Sequence, residues 1–212
     1  MSPPSERIEN SAIAEEIRAC TKCECSKYTT QRVPGIGPKD AKIVAIARNP
    51  GATEDKVGAP LVGKAGDLFN KIVQWMGHSR DSIGILNVTG CFTPENRPPT
   101  EGEIISCFPF FQGQLDWFEQ KKVVLAFGRE AIQSQIGPVR RLKEVVNVLR
   151  KPAYETPTYG VIPMWHPSFL LRNDAEFDDF RKEGSLVVKE AVGKALSNGL
   201  PWSLDVQGEL FS

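Results

Sequence analysis

Four short apolar runs constrain this chain more than any other feature: Lys42–Ala47, Ile85–Val88, Lys121–Phe127 and Tyr159–Met164. None shows the strict apolar-polar alternation of a half-solvated strand, and segments of helical periodicity lie between them. They therefore read as strands of a parallel sheet buried on both faces. Asp67–Met76 places Leu68, Phe69, Ile72, Val73 and Met76 on one helical face, and Thr100 with Glu103 gives the capping-box start of a helix running to Phe118. Further helices are expected over Glu6–Ala19, Arg129–Gln135 and Asp178–Asn198. The fold class that follows is a three-layer α/β/α arrangement around a central, mostly parallel four-stranded sheet. The chain has 212 residues, which suits one such domain. That domain is expected over residues 1–200, opening with a cysteine-containing helix and loop, and residues 201–212 are expected to form a flexible tail.

Polar residues cluster where the expected strands stop. Asn49 follows the first strand, Asn87 ends the second, and His166 follows the fourth within Trp165-His166-Pro167-Ser168. Ligands of open α/β sheets bind beyond the carboxyl ends of the strands, so these three side chains are expected to converge on one pocket. The 26 basic and 26 acidic residues cancel, so a nucleic-acid partner would have to meet a local basic patch and not a long-range field. No apolar run approaches the ~20 residues that span a bilayer, and the polar N-terminus lacks a signal-type apolar core, so the expected location is cytoplasmic. The sequence contains neither a Walker-type phosphate loop nor an HExxH zinc motif.

Five cysteines in a reducing compartment point to a metal or cluster site before they point to disulfides. Cys20 and Cys23 form a CxxC pair, and Cys91 and Cys107 flank the loop that carries Pro94, Pro98 and Pro99. Four thiolates suit a tetrahedral zinc or a four-iron, four-sulfur cluster equally on spacing alone, and the bland alternative makes Cys91 and Cys107 ordinary small core residues. Cys25 is read as a bystander.

In their order and spacing, CTKC at Cys20, QRVPGIG at Gln31–Gly37, NPGATEDKVGAPLVGKAG at Asn49–Gly66, NVTGC with ENRPP at Asn87–Pro99, Cys107, KVVLAFGREA at Lys122–Ala131 and HPSFLLR at His166–Arg172 resemble the family 4 uracil-DNA glycosylases. The resemblance implies that Cys20, Cys23, Cys91 and Cys107 hold a structural four-iron cluster, with zinc as the alternative. It implies a DNA partner, a monomeric enzyme and a glycosylase-type fold. Substrate binding would fall to Asn87, Leu61, Pro50 and Gly51, and DNA contact to Ser168, Arg172 and an apolar wedge at Leu170.

The chemistry suits these residues. Uracil must leave the duplex to be attacked, and an amide such as Asn87 can accept from its N3–H while donating to O4. His166 can donate to O2 as the departing base gathers negative charge. His78, in the turn-like Gly77-His78-Ser79-Arg80, is read as solvated.

Three positions depart from the family pattern. Its water-activating motif reads Gly-Glu-Ala-Pro-Gly where this chain has Ala47-Arg48-Asn49-Pro50-Gly51, so Asn49 is expected to position the water, as an asparagine does in mismatch-specific and single-strand-selective relatives. Leu61 stands where a phenylalanine stacks on uracil, and Gly90 where lysine is common. The leading expectation is a monofunctional uracil-DNA glycosylase. The alternatives are a catalytically weakened DNA-binding module of the same fold and, less well supported, a zinc-stabilised nucleotide hydrolase.

Overall fold

A computed structural model of the chain describes residues 5–147, 154–155 and 158–198; the expected tail at 201–212 lies outside the described residues. The strands are β1 (Ile43–Ala47), β2 (Gly84–Asn87), β3 (Val123–Phe127), β4 (Tyr154–Glu155) and β5 (Gly160–Met164). They form one sheet in the order β2-β1-β3-β5-β4, of which the first four are parallel and β4 runs antiparallel at the edge. The expected four-stranded parallel sheet is thus present, extended by a two-residue strand too short to carry a periodic signal.

Alternation explains why the strand segments look apolar throughout. Ile43, Ala45 and Ala47 of β1 and Val123, Leu125 and Phe127 of β3 enter one core, whereas Val44, Ile46, Val124 and Ala126 enter the other. Helices α3 (Lys64–Trp75) and α9 (Ser185–Asn198) cover the first face, with Phe69 meeting Phe127 edge to face at 5.7 Å. The second face is covered by α4 (Glu101–Trp117) and α5 (Arg129–Ile136) through Phe111, Leu115, Ala131 and Ile132. Short helices α1 (Ala12–Arg18), α2 (Ala52–Val57), α6 (Leu142–Asn147), α7 (Pro167–Leu170) and α8 (Asp174–Asp179) complete the described chain.

Two expected helices are interrupted. The segment read as Glu6–Ala19 divides into a 3-10 turn at Ile8–Asn10 and α1, because Ser11 is extended and its hydroxyl accepts from the Ala14 N–H. The segment read as Asp178–Asn198 passes through a π-helical turn at Phe180–Gly184 before α9. By contrast, Thr100 and Glu103 exchange the two hydrogen bonds of a capping box at the start of α4, as the sequence predicts.

The segment before β1 edges the sheet. Ile36 and Ile85 exchange backbone hydrogen bonds, Val33 donates to the Gly90 carbonyl, and the Gly35 N–H donates to the buried Gln114 Oε1 at 2.6 Å. A side chain at Gly35 would lie 2.2 Å from Leu86, so only glycine allows the approach.

Close approach also dictates Gly66 in α3, where a Cβ would fall 2.0 Å from the Leu61 carbonyl oxygen. Gly66→Ala is expected to lower stability by about 1–3 kcal/mol through overpacking, read as a lower urea midpoint. Gly193→Ala, on the open face of α9 with nothing within 4 Å, should instead leave the midpoint unchanged or raise it by up to about 1 kcal/mol.

Candidate active site

Register brings the polar strand ends together. Ala47 pairs with Asn87, Ile46 with Ala126, and Phe127 with Met164, so the residues immediately beyond β1, β3 and β5 leave the sheet at the same edge as Asn87. There they border a cavity of about 790 Å³. Asn49, Gly51, Leu61, Asn87, His166, Ser168 and Arg172 all line it. Pro50 and Leu170 are not among its lining residues. Pro50 is buried and contributes its carbonyl to Asn49 Nδ2, while Leu170 is 1% exposed within the core. The expected wedge at Leu170 is therefore corrected. One turn of α7 rolls Leu170 inward against the sheet and leaves Leu171 outward, 47% exposed beside Arg172.

His166 caps α7. Its Nδ1 accepts from the Ser168 N–H at 3.2 Å and lies 2.8 Å from Ser168 Oγ. A backbone N–H can only donate, so Nδ1 carries no proton and the neutral ring holds its hydrogen on Nε2. Burial pushes the ring down to about 4, aided by the charges of Arg48 and Arg172 and opposed by Glu54. His166 is thus a neutral donor at physiological pH. His78 is partly buried and not fully solvated as read from sequence, and burial lowers its affinity for a proton.

Asn87 is 6% exposed, and its Nδ2 has no hydrogen-bond partner; with Thr89 Oγ1 it is one of two such buried side-chain atoms among the described residues. Leu61 supplies apolar wall at a left-handed φ of 50°. Arg80 holds that turn by donating to the carbonyls of Leu61 at 2.9 Å and Pro60 at 2.6 Å. Aromatic surface comes from Phe169, which stacks on Trp165 at 4.4 Å.

Sequence reasoning missed the carboxylates of α2. Glu54 lines the cavity but accepts from the N–H groups of Gly51, Val62 and Gly63, which makes it a staple between two walls. Asp55 accepts from the Thr29 hydroxyl and the Thr30 N–H, tying the same helix to the cysteine loop. An adjacent acidic pair on a short helix reads as solvated surface, and nothing in the local pattern marks it as buried.

A second, narrower cavity is bordered by Cys20, Cys91 and Cys107 together with Asn87, Gly90 and Arg32. Cys23 stands close enough for its charge to act on both Cys91 and Cys107. Burial, followed by mutual repulsion, pushes Cys91 up to about 12; burial pushes Cys107 up to about 11, against a hydrogen bond from the Gly90 backbone. Arg32 braces the loop by donating to the carbonyls of Cys20 and Ser26. Among the described residues no three His, Cys, Asp or Glu side chains converge as a single ion requires. Cys25, the spare cysteine, is buried beside Glu103, which Arg97 grips through both oxygens at 2.7 and 2.8 Å.

A family model described as the uracil DNA glycosylase superfamily matches residues 34–185. The chain is similar to the type-4 uracil-DNA glycosylase of Saccharolobus solfataricus, at 33% identity over 85% of each chain. It is likewise similar to that of Archaeoglobus fulgidus, at 33% identity over 84% of this chain and 93% of the other, and to that of Thermotoga maritima, at 32% over 84% and 94%.

Two outcomes follow from this geometry. Leu170→Ala should cost about 2–5 kcal/mol in urea unfolding, whereas Leu171→Ala should stay within about 0.5 kcal/mol of wild type. An unfolded histidine takes its proton near 6.5 and folded His166 near 4, so between these values the unfolded chain binds more protons and stability falls as pH drops. The urea midpoint of wild type should therefore decline relative to that of His166→Gln on acidification below 6.5, with no such divergence above it.

Proposed function

The chain belongs to the uracil DNA glycosylase superfamily, and from that membership we propose that it removes uracil from DNA by hydrolysing the bond between base and sugar, leaving an abasic site. The observation that carries this reading is the buried, unpartnered Nδ2 of Asn87 in the cavity wall. Leaving a buried donor unsatisfied costs roughly 1–3 kcal/mol, a deficit that a ligand with a matching acceptor removes. A uracil flipped from the duplex presents O4 to that donor and N3–H to Asn87 Oδ1. Cytosine carries an amino group at the same position and would set donor against donor.

As the N1–C1′ bond breaks, its electron pair leaves with the base, and charge gathers on O2. Neutral His166 donates to it from Nε2, while water held by Asn49 adds to the cationic sugar carbon and loses its proton to solvent. Because bond breaking runs ahead of attack, positioning the water suffices and no carboxylate base is required. Leu61, Gly51 and Phe169 enclose the base, and Pro50 supports Asn49 from behind. Ser168 and Arg172 meet DNA phosphates, and Leu171 takes the wedge role.

Cys20, Cys23, Cys91 and Cys107 hold a four-iron, four-sulfur cluster in this reading. What supports this reading is the donor set: Cys20, Cys91 and Cys107 border one cavity and Cys23 lies close enough to act on the last two, and four thiolates would fill the coordination that the protein supplies to a cluster. Bound by these four residues, it would cross-link the N-terminal loop that carries Cys20 and Cys23, the loop after β2 that carries Cys91, and α4 that carries Cys107. A brown protein with visible absorbance supports it, and a colourless zinc protein would replace it with the alternative metal. The protein acts inside the cell as a single monomeric domain on DNA; among its described residues no helix is long and apolar enough to cross a membrane.

Single-turnover release of free base from oligonucleotides carrying uracil, hypoxanthine, xanthine or a thymine mismatch tests the proposal. Uracil should be released, and His166→Ala should slow release by about 10²–10³-fold, with Asn49→Ala also strongly impaired. If no base leaves any substrate while DNA binding persists, the pocket recognises and does not catalyse.

A further inference from the structure

We infer, on the reading in which Asn49 holds the attacking water, that Arg48 is the positioning residue that orients the Asn49 carboxamide. Arg48 follows β1 directly, and its Nε donates to Asn49 Oδ1 at 2.6 Å. The same guanidinium donates from Nη2 to the Asn96 carbonyl at 2.9 Å and reaches Asn96 Oδ1 at 3.5 Å. On the other side of the amide, Asn49 Nδ2 donates to the Pro50 carbonyl at 2.9 Å and lies 3.3 Å from Thr93 Oγ1.

These contacts remove two freedoms. The terminal torsion of an asparagine is broad and roughly two-fold, so an unrestrained carboxamide exchanges its oxygen and nitrogen ends. A guanidinium nitrogen only donates and a carbonyl only accepts, so the contacts with Arg48 and Pro50 admit a single orientation. Oδ1 keeps one lone pair, and a water that donates to it has a fixed station. A carboxylate at position 48 would face Asn49 Oδ1 and the Asn96 carbonyl with acceptor against acceptor. Arginine is the side chain whose planar fork satisfies both.

The fork also fixes the rim of the cavity. Glu95 and Asn96 both sit at a φ of 55°, a left-handed pair that side-chain-bearing residues rarely adopt. Arg48 holds this turn through the Asn96 carbonyl, and the hydroxyl of Thr93, 3.3 Å from Asn49 Nδ2, donates to the Arg97 carbonyl at 2.5 Å. Water station and rim are therefore set by one side chain.

The experiment compares Arg48→Ala, Arg48→Lys, Asn49→Ala and the Arg48→Ala/Asn49→Ala double variant of the full chain. Both Arg48 variants should lower the single-turnover rate about 10- to 100-fold, and the DNA dissociation constant should move far less. Adding Arg48→Ala to Asn49→Ala should slow it no further, since the two act as one unit. Lysine keeps the charge but not the fork, so recovery of the wild-type rate in Arg48→Lys would overturn the inference in favour of simple charge stabilisation. A second readout needs no catalysis. In nitrogen-15-labelled protein the Asn49 carboxamide hydrogens should exchange with water at least about tenfold faster in both Arg48 variants than in wild type, as expected when a restraining hydrogen bond is lost. Unchanged exchange would sink the inference. A wild-type protein that releases no uracil would defeat the glycosylase reading alone, because the exchange measurement decides the Arg48 restraint separately. Arg48→Lys carries both readouts should Arg48→Ala fail to fold.

Discussion

The parallel ladder from β2 through β1 and β3 to β5 is the constraint on which everything else depends. Parallel strands deliver all their carboxyl ends to one edge, and the register that pairs Ala47 with Asn87 and Phe127 with Met164 brings four chain exits within reach of one cavity. The chain runs from β1 out to β2 on one side and then returns to place β3 on the other side of β1, which opens the crevice beyond β1 and β3. Slipping one strand by a single residue would turn Asn87 or Phe127 to the opposite face. The two separate apolar cores, each fed by alternate residues of the same strands, penalise any such slip.

Polar staples then hold the loops that the ladder only aims. Glu54 and Asp55 are neighbours on α2, yet one grips the Leu61–Gly63 wall and the other the loop that follows the CxxC pair. Glu103 joins the start of α4 through Thr100 to the turn before it through Arg97. The hydrogen bonds from Arg97, despite partial burial, hold the Glu103 carboxyl down to about 2. Asn87 borders the larger cavity and the cysteine cavity at once.

Charge is distributed by the fold and not by composition. A chain with balanced acids and bases gathers Arg48, Lys64, Arg129 and Arg172 around one cleft beside Glu95, Glu130 and Glu54, the last already satisfied by backbone N–H groups. Burial, aided by Arg48 and Arg172, keeps His166 neutral, and its cap on α7 decides which ring nitrogen carries the hydrogen. That arrangement suits a polyanion outside and a developing anion within.

The sequence by itself determined the parallel sheet, the helix starts that obey local capping rules, and the convergence of Asn49, Asn87 and His166, because strand periodicity and strand-end position are local properties that parallel topology converts into a place. It also offered the four cysteines as a set. It did not reveal that Leu170 points inward and Leu171 outward, that Cys25 is buried, or that Arg48 grips Asn49 and Asn96. Those facts depend on helical phase in a four-residue helix, on burial by distant elements, and on the turn at Asn96 that holds Arg48 against its neighbour. Only the tertiary structure decides them, since a side chain's direction and partner are set by what the rest of the fold brings to it.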